Sequence, residues 1–296
     1  MTQLRKQAGK KRAAYRFVEL TREGLPKGFL APFGERAATR FEIRRDGIAI
    51  ITLARPESLN AFNERMIREV RSALWHCTFD DHVRVIIVTG EGRAFCSGRD
   101  IQGLQWENDK PSFQYRAYVR TCHEMMDDFE QIEKPVIAAV NGICAGGGVE
   151  MAVACDLRFA ASNAQFLLPE NQLGVIPASG ACSRMIQLIG IGRLKEMVIG
   201  VEPVSARVAN RIGLVNRVFP ANKLMKNTIA YAQKLTGKAP LAMGMAKHII
   251  NTCQSADLET GRILERLGQS VLNGTEDQKE GTAAFIEKRK PRFKGR

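Results

Sequence analysis

The chain has 296 residues, 45% hydrophobic and 25% charged, enough apolar material for a sizeable core and too little charge for a disordered chain. Its seven cysteines are odd in number, widely spaced and never arranged as C-x-x-C, which argues against a zinc ribbon and for a reducing compartment, and a core of this size needs no disulfides for stability. The net charge of +13 is uneven: residues 1–40 carry +7 and residues 279–296 carry +5, leaving +1 for the rest. A folded face that binds a duplex would carry its own basic stripe, so the body shows no nucleic-acid footprint.

The first twenty residues hold Lys6, Lys10, Lys11 and Arg12 without a long apolar run, so no secretory signal is expected. Residues 1–18 also lack acids, as transit peptides do, but they lack serine too. The most apolar long stretch, Pro135–Cys155, contains Asn141, Glu150 and four glycines and does not read as a membrane span. Residues 1–40, with Pro26-Lys27-Gly28 and Pro32-Phe33-Gly34, read as a basic extension.

From Phe41 onward the spacing predicts a hairpin, Phe41–Arg45 turning at Asp46-Gly47 into Ile48–Leu53. Asn63 then caps a helix with Met66, Val70 and Leu74 on its apolar face, and Val83–Val88 suits a buried strand. A second unit follows, with a helix over 112–132, strand Pro135–Val140, a glycine-rich loop, a helix to Cys155 and strand Leu157–Ala161. This alternation is α/β. Beyond Gly180 the pattern is helical, apart from a short strand at Leu214–Phe219, and Gly237-Lys238-Ala239-Pro240 opens a C-terminal helical segment. The expected organisation is therefore an extension (1–40), an α/β core (41–236) and a helical segment with a basic tail (237–296).

Chemistry is expected in three strand-end segments: Gly92–Ile101, Asn141–Glu150, and Phe166–Glu170 with Leu173–Pro177 after it. The glycines are not a phosphate loop, because no Gly-Lys-Ser/Thr follows them, and Gly190-Ile191-Gly192 lacks the third glycine of a dinucleotide fingerprint. Bare amides at Gly98 and Gly146–Gly148, beside a helix N-terminus, suit an oxyanion. With two carboxylates close by, no G-x-S-x-G elbow and no nearby histidine base, the expectation is enolate chemistry rather than covalent acyl transfer. Phe166, Leu167, Leu168 and Ile176 are candidates for a poorly solvated wall.

Together the segments resemble the crotonase (enoyl-CoA hydratase/isomerase) superfamily, over about Phe41–Arg296. The matching stretches are Arg55–Ala61, Gly98-Arg99-Asp100, Ala145–Gly148, Pro169-Glu170, Leu173–Pro177 and the ending from Asp277 to Arg289. The resemblance implies a spiral of β-β-α units with a C-terminal helical segment. It implies catalytic Glu150 and Glu170, an oxyanion hole from the backbone N–H of Arg99 and Gly147, and substrate contacts near Gly98, Asp100, Ile101, Gly146 and Ala178.

It further implies an acyl-CoA substrate without a separate cofactor or metal, and a homotrimer or dimer of trimers in which Lys288 reaches the coenzyme A phosphates of a neighbour. The implied location is cytoplasmic, or the mitochondrial matrix in a eukaryote. Three places depart from the pattern: Gln102 stands where relatives often carry lysine, an aromatic expected near the adenine is missing around Gln269, and Pro177-Ala178-Ser179-Gly180-Ala181 stands for Pro-Gly-x-Gly-Gly. Alanine keeps the N–H but resists positive φ, so a displaced water site is expected if that φ is required. The alternatives to a hydratase are then an isomerase, a hydratase-lyase on an aromatic or cyclic acyl-CoA, or an RNA-binding member of the superfamily.

Overall fold

A computed structural model describes residues 15–17, 37–101 and 111–296; the expectations for residues 1–14 and 18–36 of the N-terminal extension and for Gln102 lie outside the described residues. Of the extension, Tyr15–Phe17 forms a short strand, β1, paired antiparallel with the first strand of the body. That strand, β2 (Thr39–Arg44), begins two residues before Phe41 and turns at Asp46-Gly47 into β3 (Ile48–Leu53).

The chain then winds as a spiral in which a long strand, a short strand and a helix recur. Helix α1 (Glu64–Phe79) is capped as expected: Asn63 Oδ1 accepts from the Met66 N–H at 3.0 Å, a contact worth about 1 kcal/mol. One turn of the spiral then runs β4 (Val85–Gly90), β5 (Ala94–Cys96) and α2 (Ser112–Gln131). The next runs β6 (Val136–Val140), β7 (Ile143–Ala145) and α3 (Gly147–Ala154). The third runs β8 (Leu157–Ala161), β9 (Gln165–Leu167), α4 (Ala181–Ile189) and α5 (Ile191–Ile199). Strand β10 (Val204–Ser205), helix α6 (Ala206–Arg211), strand β11 (Arg217–Phe219) and helix α7 (Leu224–Thr236) complete the α/β body. Helices α8 (Pro240–Cys253), α9 (Leu258–Leu272) and α10 (Glu276–Ile286) follow.

The long strands form a seven-stranded sheet in the order β1-β2-β3-β4-β6-β8-β11, parallel from β3 onward. The short strands form a second sheet, β10-β9-β7-β5. The uninterrupted apolar run in β4 follows from burial on both faces. Val85 and Ile87 point with Ile48, Ile137 and Phe159 into a core covered by α7, whereas Ile86 and Val88 join the larger core with Phe95, Met125, Phe129 and Phe166. Each strand therefore delivers its C-terminal end to the second sheet in a fixed register, and the glycine loops leave from there.

The helical segment is tied back to the body by a largely buried charge. Lys247 Nζ lies 2.9 Å from Asp156 Oδ2 and donates to the Phe129 carbonyl at 2.8 Å, while Asp156 also accepts from the Val136 N–H at 2.7 Å. Removing either partner strands a buried charge, a change that typically costs about 3–5 kcal/mol.

Candidate active site

The loop after β5 is held by Phe62, whose N–H donates to the Gly98 carbonyl (2.8 Å) and whose carbonyl accepts from the Asp100 N–H (3.0 Å). Asn60 supports this strand-like pairing. Fully buried at φ +59°, it donates to the carbonyls of Glu91 and Ala94 and accepts from the Arg55 N–H. Asp100 forms a 2.8 Å ion pair with Arg55, which sets its carboxylate into the loop scaffold. Ile101 is exposed.

The second glycine loop meets the first directly. A β-carbon on Gly98 would lie 3.2 Å from the Gly147 nitrogen, so the segment carrying Arg99 and the first turn of α3 converge. Gly146 has φ +51°, and its N–H donates to the Leu167 carbonyl at 2.8 Å, which ties the loop to β9. Gly147 packs under the Phe62 ring: a β-carbon there would lie 2.6 Å from Phe62 Cζ. Only glycine leaves the ring and the first turn of α3 in contact.

Both glutamates face this junction. Glu150, in the first turn of α3, is 3% exposed. Its Oε1 accepts from the Ser179 N–H at 2.6 Å and the Ala181 N–H at 3.2 Å, and its Oε2 lies 3.6 Å from the point a β-carbon on Gly147 would occupy. Glu170 begins a short 3-10 turn, Glu170–Leu173, and its Oε1 lies 2.9 Å from the corresponding point at Gly146. The carboxylates thus flank adjacent residues of one loop.

Their surroundings differ. Burial raises the Glu150 carboxyl above the ordinary range, opposed by the two amide donors and by His123. Burial also drives Glu170 up to about 7, reinforced by the charge of Glu150. The Glu170 Oε2 atom is buried without a hydrogen-bond partner, so a proton on this carboxyl removes a charge that nothing compensates.

Several expectations change at this site. A histidine is nearby after all: His123 Nε2 donates to the Ala178 carbonyl and acts electrostatically on Glu150. It lies on α2, 55 residues away in sequence, where an amphipathic pattern marks it as an ordinary exposed residue. Ala178 does not have positive φ, so the strain expected of an alanine here is absent, and Gly180, at +115°, is the residue of this turn in the left-handed region. Of the proposed apolar wall, Phe166 and Leu168 are core and Ile176 is 67% exposed. Cys182, read as a small hydrophobe, is exposed, and partial burial, reinforced by the charges of Glu150 and Glu170, raises its thiol pKa. Lys288 is exposed at φ +54°, and its N–H donates to the Phe285 carbonyl. No described contact brings it to the carboxylates within one chain.

Comparison with known proteins places the chain in a family. The profile of the family described as enoyl-CoA hydratase/isomerase matches residues 43–296. The chain belongs to the enoyl-CoA hydratase/isomerase family. Among relatives, it is 37% identical to a short-chain-enoyl-CoA hydratase of Clostridium acetobutylicum, over 82% of this chain and 92% of that one. It is 35% identical to a crotonyl-CoA hydratase of Syntrophomonas wolfei, over 84% and 95%. The crystal structure of an enoyl-CoA hydratase from Bacillus anthracis superposes with a TM-score of 0.79 at 36% identity, covering 84% of this chain and 96% of that one. The family fold accounts for the spiral and the helical ending. Among the described residues no helix is long and apolar enough to cross a membrane, and no group of three or more His, Cys, Asp or Glu side chains is gathered to hold a metal ion.

Proposed function

We propose that this member of the family is an enoyl-CoA hydratase, adding water across the double bond of a 2-enoyl-CoA thioester to give a 3-hydroxyacyl-CoA. The observation that carries the reading is the pair of unlike carboxylates beside the Gly146–Gly147 amides, one held by two N–H donors and the other with an oxygen unpartnered.

In this reading the N–H groups of Arg99 and Gly147 receive the thioester oxygen as it takes on enolate charge, and the β-carbon becomes electrophilic. Glu150, ionised, takes a proton from a water that attacks the β-carbon, and protonated Glu170 gives its proton to the α-carbon. The amide bonds to Glu150 favour its ionised form, and the unpartnered oxygen of Glu170 favours the protonated one. The two titrate as a pair, so these roles describe one microstate of the dyad. Electrons and protons balance without a redox cofactor or metal, coenzyme A being part of the substrate. Gly98, Asp100, Ile101, Gly146 and Ala178 belong to its binding surface.

The assembly in this reading is a homotrimer or a dimer of trimers, with Lys288 of a neighbouring copy meeting the coenzyme A phosphates. Exposed apolar side chains on helices α9 and α10 support association: Leu258, Leu267, Val271, Phe285 and Ile286. A cytoplasmic or matrix location is supported by seven free cysteines, five of them buried. Nucleic acid is not a partner in this reading, since Arg289 in the basic ending is already paired with Glu280 and Glu287.

The test is an absorbance assay for loss of the enoyl-thioester chromophore over short, long and aromatic 2-enoyl-CoAs. Glu150→Gln and Glu170→Gln each lower kcat by roughly 10²–10⁴ with the fold intact. Full activity in both variants removes the assignment. A chain that instead converts 3-enoyl-CoA and hydrates nothing is an isomerase.

A further inference from the structure

The turn that grips Glu150 is itself gripped from outside the reacting groups. Its Ser179 carbonyl accepts from Arg184 Nη1 at 3.1 Å. The same guanidinium makes a two-pronged contact with Glu130 (Nε to Oε1 2.7 Å, Nη2 to Oε2 2.8 Å) and reaches Asp127 Oδ1 at 2.8 Å. One residue back, the Ala178 carbonyl accepts from His123 Nε2. His123, Asp127 and Glu130 are spaced i, i+4, i+7 and share one face of α2. Gly180 leaves room for this arrangement, because a β-carbon there would collide with Arg184 Nη1.

We infer that His123 and the Arg184–Asp127–Glu130 cluster are positioning residues: they fix the carbonyls of Ala178 and Ser179 so that the N–H groups of Ser179 and Ala181 point at Glu150 Oε1. A peptide unit is planar, so holding the Ala178 carbonyl fixes the direction of the Ser179 N–H, and holding the Ser179 carbonyl fixes the Ser179–Gly180 peptide plane, the unit that leads into Ala181. A fork with two prongs on Glu130 and a third contact on Asp127 orients the guanidinium where a single ammonium would not. The groups acting on the Glu150 carboxyl from neighbouring elements are Glu170, His123 and Cys182. The inference rests on the hydratase reading for its kinetic readout but not for its geometry.

The test compares wild type with Arg184→Met, with the doubly substituted Asp127→Asn/Glu130→Gln in case loss of the arginine prevents folding, and with Arg184→Lys, His123→Ala and His123→Gln. Arg184→Met and the double variant are expected to lower kcat by about tenfold or more with KM changed less than about twofold. With fewer donors on the ionised carboxylate, the acidic limb of the kcat/KM profile moves to higher pH by about one unit. Arg184→Lys restores part of the loss, and His123→Gln restores what His123→Ala removes. A lowered activity with an unmoved acidic limb is a folding defect only and overturns the inference, as does wild-type behaviour throughout. If the wild type hydrates no substrate, the hydratase reading falls and the crystal structure of Arg184→Met decides instead. A Ser179 or Ala181 N–H swung away from Glu150 upholds the positioning role, and two unchanged contacts overturn it.

Discussion

Glu170 Oε1 stands 2.9 Å from the point where a β-carbon on Gly146 would be, so the acid occupies space that every other residue type would claim. Gly146 also sits at φ +51° and ψ −125°, a conformation that L side chains rarely adopt. Gly146→Ala therefore displaces the carboxyl and strains the loop together. The expected outcome is a fall in kcat on the order of 10²-fold and a loss of stability of about 1–3 kcal/mol, read by steady-state kinetics and urea unfolding. A variant with normal kcat means that the Glu170 carboxyl does not need this position.

The pH dependence follows from the same residue. A proton donor with a pKa of about 7 is charged on the alkaline side, so kcat/KM for hydration falls as pH rises through about 7, and Glu170→Gln lacks that limb in its residual activity. Stability moves the same way. The folded carboxyl binds its proton more tightly than an unfolded one at the ordinary 4.5, so its contribution is fully present below 4.5 and is lost as pH rises towards 7. Wild type is thus expected to lose unfolding free energy relative to Glu170→Gln between pH 4.5 and 7.5, measured as urea midpoints at both ends. A constant difference between the two proteins shows that Glu170 has an ordinary pKa.

Sequence periodicity reaches the long strands and helices because each carries enough residues to show its period. The Asp46-Gly47 turn, the Asn63 cap and the doubly buried run of β4 are local signals, and the observed boundaries lie within a few residues of the expected ones. The second sheet is different. Strands β5, β7 and β9 have three residues each and β10 has two, too short for any alternation to register, and they pair across long stretches of chain. Glu150 and Glu170 are legible through the family resemblance, but what distinguishes them is not. The donors on Glu150 come from Ser179 and Ala181, main-chain groups that no side-chain pattern reports. His123 joins the site only because α2 crosses the turn at Ala178, which tertiary packing decides.

The resemblance leads one to expect glycine at position 178, and the structure changes what the alanine there means. Its φ is not positive and it is exposed, so a methyl group there neither strains the turn nor presses on the core. The Ser179 and Ala181 amides hold Glu150 with alanine in place. Ala178→Gly is accordingly expected to leave hydration within about twofold of wild type and to lower stability by up to about 1 kcal/mol, because glycine widens the unfolded ensemble. Both are measured on one preparation, with matched 2-enoyl and 3-enoyl substrates separated by chromatography and a urea melt alongside. A marked rise in hydration with a fall in double-bond isomerisation shows instead that the methyl group displaces the attacking water, and then the alanine, rather than the carboxylate pair, sets which reaction this chain performs.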